Sequence, residues 1–185
     1  YNRPNTKDVN LLKQGVTDGP VIEKSDLFGM GVALDGDADV LAVGVYYDQG
    51  FNERNTKIKK SGSVFMLAFD DTDFSNGKVV SRIGAGYRYN TTRCRGRKCG
   101  TFENDFNTQT VPDLILAEED HFGRSVSLNH DGSLLAVGKE KDDGKNGLTN
   151  NAGAVQLFKF TNDGGSIVSA ATGKATYVGT IGNGY

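Results

Sequence analysis

The chain has 185 residues, with 21 Lys plus Arg set against 23 Asp plus Glu for a formal net charge of -2. So balanced a chain lacks the strong field expected of a nucleic-acid binder or a protein held on an anionic membrane. No apolar run approaches the roughly 20 residues that a membrane-crossing helix needs. Glycine is abundant at 25 residues, proline scarce at 3 and tryptophan absent, which points to an all-β chain of short strands and tight turns.

Taken in order, the chain opens on YNRPNTKDVN, with neither an initiator Met nor the apolar segment of a signal peptide. This is expected of a mature processed protein or of a piece of a longer one. Residues 1–18 include VNLLKQGV, an arm or extra strand that would pair with a neighbouring sheet or a neighbouring molecule. A first unit then spans 19–87. Its FGMGVAL (28–34) has period two, with Phe28, Met30, Val32 and Leu34 on one face and only Gly29, Gly31 and Ala33 on the other, so another backbone can approach closely on the small-residue side. The DGDAD turn (35–39) leads to VLAVGVY, apolar at nearly every position as in an interior strand covered on both faces. GSVFMLAF (62–69) supplies a third strand and KVVSRIG (78–84) a fourth. An insertion at about 88–112 precedes a second unit over 113–185, with strands at 122–128, 134–138, 153–160 and ATYVGTIG (175–182).

The two units are copies of each other. Asp26, Phe28, Gly29, Val32, Leu34 and Asp37 correspond to Asp120, Phe122, Gly123, Val126, Leu128 and Asp131. Leu41-Ala42-Val43-Gly44 corresponds to Leu135-Ala136-Val137-Gly138, and Asp48 and Gly50 to Asp142 and Gly144. GSVFMLAF then matches GAVQLFKF, and IGAGY (83–87) matches IGNGY (181–185). Four short antiparallel strands per unit, repeated, is the pattern of propeller blades or of a stacked-sheet array. A closed propeller takes roughly 4 to 8 blades. Two copies form an incomplete ring, so the open sides are expected to be satisfied by material beyond these 185 residues.

The order Asp-x-Phe-Gly, hairpin turn, Leu-Ala-Val-Gly, Asp-x-Gly, then Gly-Ala-Val-x-Leu-Phe resembles the FG-GAP repeat, from which integrin α-chain propellers and related extracellular proteins are built. The likeness covers about 20–87 and 114–185. Phe28-Gly29 and Phe122-Gly123 carry the Phe-Gly half, whereas Gly44-Val45-Tyr46 and Gly138-Lys139-Glu140 stand where the family has Gly-Ala-Pro. The resemblance implies two FG-GAP-like four-stranded blades and an extracellular or cell-surface setting.

Several residues are candidate sites. Asp35, Asp37 and Asp39 alternate along DGDAD and offer oxygen ligands to calcium, or form a polar hairpin turn. Asp142 and Asp143, with Asn146 and Asn150, make a second oxygen-rich loop open to the same two readings. Cys94 and Cys99 in CRGRKC are spaced for a local disulfide or stand as two free thiols, and Asn90 begins an Asn-Thr-Thr glycosylation sequon. A disulfide and a glycan both belong to the outside of the cell. The insertion carries Arg88, Tyr89, Arg93, Arg95, Arg97 and Lys98, a binding loop suited to an acidic glycan or acidic protein surface, or else a solvated connection. Neither His121 nor His130 has a spaced metal-binding partner, and no nucleophile elbow or phosphate loop occurs. The expectation is therefore a non-enzymatic extracellular recognition or adhesion module binding protein or glycan through its loops. The alternative is a structural subunit that self-associates through open sheet edges and the N-terminal arm into a fibre or surface layer.

Overall fold

A computed structural model describes residues 22, 24–51, 56–87, 105–145, 147–160 and 174–182. The N-terminal arm and most of the insertion lie outside them. In the first unit, β1 (Phe28–Leu34), β2 (Val40–Val45), β5 (Ser63–Ala68) and β6 (Lys78–Gly84) form an antiparallel meander. In the second, β8 (Phe122–Leu128), β9 (Leu134–Lys139), β10 (Ala154–Phe160) and β11 (Ala175–Gly182) do the same. A short hairpin of β3 (Gly50–Phe51) and β4 (Lys57–Ile58) rises from the β2–β5 connection. Among the described residues the remaining turns include two short 3-10 segments, Thr108–Thr110 and Pro112–Leu114, and no helix is long and apolar enough to cross a membrane.

The first sheet has a fifth strand that the four-strand pattern did not lead one to expect. β7 (Phe106–Asn107) lies parallel to β6, with Phe106 beside Ile83 and Asn107 beside Gly84. Leu114 and Leu116 then enter the core between the sheets. Residues 105–116 are therefore part of the folded body.

The sheets pack face to face because each copy buries one apolar side against the other. Val40, Ala42, Val64, Met66 and Ile83 of the first sheet share a cluster with Phe122, Leu135, Val137, Phe158 and Phe160 of the second. Each such side chain gives about 1.5–3 kcal/mol on leaving water. Phe158 is the hub. Phe106, Phe122 and Tyr177 meet it edge-on with centroids 5.6, 6.1 and 6.0 Å away. A second cluster, with Val43, Val45, Phe65 and Leu67, occupies the opposite face of the first sheet. β2 and β5 are thus covered on both faces.

The close approach expected on the small-residue side of β1 is present, and one other expectation needs correction. The bulky stripe of β1 is turned away from the joint, since Phe28, Met30, Val32 and Leu34 are all exposed. The inward side of β1 is the small one: a Cβ placed on Gly31 would lie 3.1–3.3 Å from the backbone of Gly123, Arg124 and Ser125. Contact here is backbone against backbone, and bulk would prevent it. The second unit's LLAVG (134–138), apolar at nearly every position and expected like VLAVGVY to be an interior strand, forms β9, which is not covered on both faces. Leu135 and Val137 are buried, while Leu134, beside Lys159 and on the other face, is exposed.

Candidate functional site

The joint between the sheets is made by Phe122-Gly123. Just before it the chain runs alongside residues 59–61: the N–H groups of Glu119, His121 and Phe122 donate to the carbonyls of Lys59, Lys60 and Ser61 at 3.0, 3.2 and 3.0 Å. The Gly123 carbonyl then enters a slot walled by glycines. A Cβ on Gly44 would lie 1.8 Å from that oxygen, and one on Gly62 2.0 Å from the Phe122 oxygen. Gly123 itself has φ +88°, in the left-handed region open to glycine, and its own Cβ would meet the Ser63 carbonyl at 2.4 Å. The Phe-Gly pair of the repeat is therefore a plug, and the glycines of the neighbouring blade are its socket.

Charged and aromatic groups ring this joint. His121 packs against Tyr46 and Tyr47, centroids 5.3 and 5.0 Å away, and its Nδ1 lies 2.8 Å from Glu140 Oε1. Arg124 Nε donates to Glu140 Oε2 at 3.1 Å, with its guanidinium 5.0 Å from the Tyr46 ring centre. The contact from His121, aided by Arg124, holds the Glu140 carboxyl below its ordinary range. Lys60 does the same for Glu119, which it meets at 3.0 Å. Burial, and then Tyr47, push the Tyr46 hydroxyl up.

At the loop end of the second blade lies a cavity of about 400 Å³ between residues 112–117 and 139–147. Buried Lys139 stands at its floor, 3.3 Å from Asp120 Oδ2 and paired also with Asp142. Burial raises the Asp120 carboxyl and Lys139 opposes it. Across the mouth, Lys145 meets Asp113 at 3.4 Å. The first blade has a buried polar chain in the matching place. Tyr87 donates to Asp48, Arg82 stacks 4.4 Å from the Tyr87 ring centre, and Arg82 Nε donates to Asp105 Oδ1 at 3.1 Å. The Arg82 backbone N–H reaches the same oxygen at 3.0 Å, and Arg82 Nη2 reaches Asp105 Oδ2 at 2.5 Å. Burial foremost, then the Asp48 charge, raises the Tyr87 hydroxyl well above its ordinary value. Because Tyr87 and Asp105 border residues 88–104, this network ties together the two flanks of that segment, which makes up most of the insertion. Asn107 reinforces it by accepting the Gly86 N–H at 2.9 Å.

The aspartates that offered themselves as calcium ligands or turn residues are placed differently from one another. Asp35 turns back so that Oδ1 accepts the N–H groups of Asp39 and Val40 at 3.2 and 3.1 Å. Asp37 is exposed, whereas Asp39 is buried and its Oδ1 has no hydrogen-bond partner. Burial and the hydrogen bond and charge of Asp35 push its carboxyl up. Asp142 faces Lys139, and Asp143 Oδ1 accepts the Asn151 N–H at 2.8 Å. Among the described residues no three carboxylate, imidazole or thiol groups are placed to hold a metal ion. Arg88, Tyr89, Asn90, Arg93, Cys94, Arg95, Arg97, Lys98, Cys99 and Asn146 lie outside the described residues. Single-sequence reading missed the Arg82–Asp105 pair, since nothing in the spacing announces it. A usable signal existed for the Tyr87–Asp48 bond and for the pairing of Lys139 with Asp120 and Asp142, because Asp26 and Asp48 recur as Asp120 and Asp142.

The FG-GAP repeat family model matches residues 116–158, from the approach to the plug through most of β10. This stretch is an FG-GAP repeat. Its four-stranded antiparallel meander is that of a propeller-type blade, and the first unit repeats the same meander and the same register shift after its Phe-Gly pair. No curated protein matches the chain.

Proposed function

We propose that this chain is a non-enzymatic extracellular recognition or adhesion module, in which FG-GAP blades hold a basic insertion toward an acidic glycan or an acidic protein surface. The supporting observation is the clamp at the insertion's base. A buried Arg82–Asp105 pair and the Tyr87–Asp48 hydrogen bond hold the flanks of residues 88–104, and an anchored base suits a recognition loop on a rigid scaffold. The insertion's sequence supports the same reading: Arg88, Arg93, Arg95, Arg97 and Lys98 carry charge, Tyr89 is a ring of the kind that stacks on sugar or peptide, Cys94 and Cys99 are spaced for a local disulfide, and Asn90 begins a glycosylation sequon. The test is binding of the immobilised chain to sulfated and carboxylated glycans and to acidic proteins across a salt series. Binding should weaken as salt rises and fall at least ~10-fold when Arg93, Arg95, Arg97 and Lys98 become Ser. A folded chain that retains none of these ligands, or a quadruple variant that binds like the wild type, would refute it.

A further inference from the structure

We propose that the outer face of the second blade is a second socket, and that the Phe28-Gly29 edge of another copy of this chain plugs it, so that copies stack head to tail. This goes beyond recognition by the insertion and does not depend on it.

The filled joint is the template. In the first blade Gly44, Val64 and Ile83 stand in one row across β2, β5 and β6. In the second, Gly138, Val155 and Ile181 stand in the same row across β9, β10 and β11. The plug covers the first row, where Val64 and Ile83 are 0% exposed, while Val155 and Ile181 are 36% and 63% exposed. Where the first blade receives Phe122-Gly123, the second has a hollow of about 300 Å³ whose lining includes Ser125, Gly138, Gly153, Ala154, Val155 and Ile181. These are the counterparts of Gly31, Gly44, Gly62, Ser63, Val64 and Ile83. The atoms nearest to a Cβ on Gly138 all belong to Ser125 of the same blade, its hydroxyl first.

The unused plug is on the same chain. Phe28 is 38% exposed against 0% for Phe122, and a Cβ on Gly29 would meet nothing within 4 Å. Both partners already hold the docked backbone shape. The filled plug has positive φ at Glu119, His121 and Gly123 (65°, 58° and 88°), and the free one at Ser25, Leu27 and Gly29 (74°, 57° and 93°). The filled socket has it at Lys60 and Gly62 (49° and 85°), and the open one at Asn151 and Gly153 (52° and 76°). Left-handed backbone at non-glycine residues is costly and sparse. Its recurrence at matching positions is preorganisation for the same joint, which lowers the cost of association. Plug and socket lie on different blades, so the contact is heterologous and builds a ring or a filament.

The experiment is sedimentation velocity on the 185-residue chain over a concentration series, with a photo-crosslinking phenylalanine analogue at position 28 in a parallel sample. The wild type should gain mass with concentration, and position 28 should crosslink to residues 138–155 of another copy. Gly138→Ala should weaken association at least ~10-fold while the circular dichroism spectrum stays that of the wild type, because Gly138 stands where Gly44 admits the plug in the filled joint. Ile181→Glu, at an exposed position, gives the same readout should Gly138→Ala disturb the fold. A chain monomeric throughout, association indifferent to both variants, or crosslinks landing elsewhere overturns the proposal. So does a monomeric chain whose hollow captures only a Phe-Gly strand of different sequence.

Discussion

Gly44→Ala adds a single methyl group at the tightest point of the blade joint. That methyl would sit 1.8 Å from the Gly123 carbonyl oxygen and 2.9 Å from its carbon, roughly 1.5 Å inside ordinary van der Waals contact. Neither atom belongs to a flexible side chain, so the strain passes to the backbone of β8 and to Phe122, which is packed against Phe158. Overpacking of this kind costs about 1–3 kcal/mol. Ala in place of a strand-interior Gly returns about 0.5–1 kcal/mol. Prising the joint open also exposes part of the shared core, so a net loss of about 3 kcal/mol is expected, or ~6–12 °C in Tm for a domain of this size. Gly138→Ala is the matched control. Its methyl meets the rotatable Ser125 hydroxyl, and the change should stay within about 1 kcal/mol of neutral. Urea unfolding followed by circular dichroism, in dilute protein, measures both. If Gly44→Ala matches the wild type within about 0.5 kcal/mol, or the two variants lose equally, the plug-and-socket reasoning is wrong.

The two Phe-Gly pairs should also differ in energy. Phe122→Ala should cost about 3–5 kcal/mol and Phe28→Ala under about 1.5 kcal/mol in urea, because only the first ring is fully enclosed. Asp105→Ala leaves Arg82 buried without its carboxylate and should cost about 3–5 kcal/mol; a milder loss would mean that water reaches the guanidinium. Asp39 supplies a pH test. Its folded-state pKa is raised by burial and by Asp35, so its contribution to stability is greatest below the ordinary aspartate value of 3.8 and is lost as pH rises through the folded value. Asp39→Asn should therefore stabilise the protein at pH 7 by about 0.5–1 kcal/mol, with the gain vanishing near pH 3. A gain independent of pH would point to another cause.

Much of the architecture was legible because strand periodicity and duplication are local signals. KVVSRIG and ATYVGTIG coincide with β6 and β11, and the DGDAD turn closes the hairpin of β1 and β2. The small-residue side of β1 was also readable as a place of close backbone approach, since only glycine and alanine leave room for it. The site was less legible. Two residues separated in sequence by an insertion, such as Arg82 and Asp105, carry no mutual signature, and the alternating aspartates of DGDAD do not announce that Asp35 turns back to accept the N–H groups of Asp39 and Val40.

By itself the sequence determined that this is a duplicated β chain with a Phe-Gly pair in each copy, because period-two alternation and glycine placement are constraints that neighbouring residues impose on each other. Only the tertiary structure decided which Phe-Gly pair is enclosed and which remains on the surface. The two copies are nearly equivalent as strings, and their difference arises from position: one glycine socket has a blade set against it, and the other faces outward.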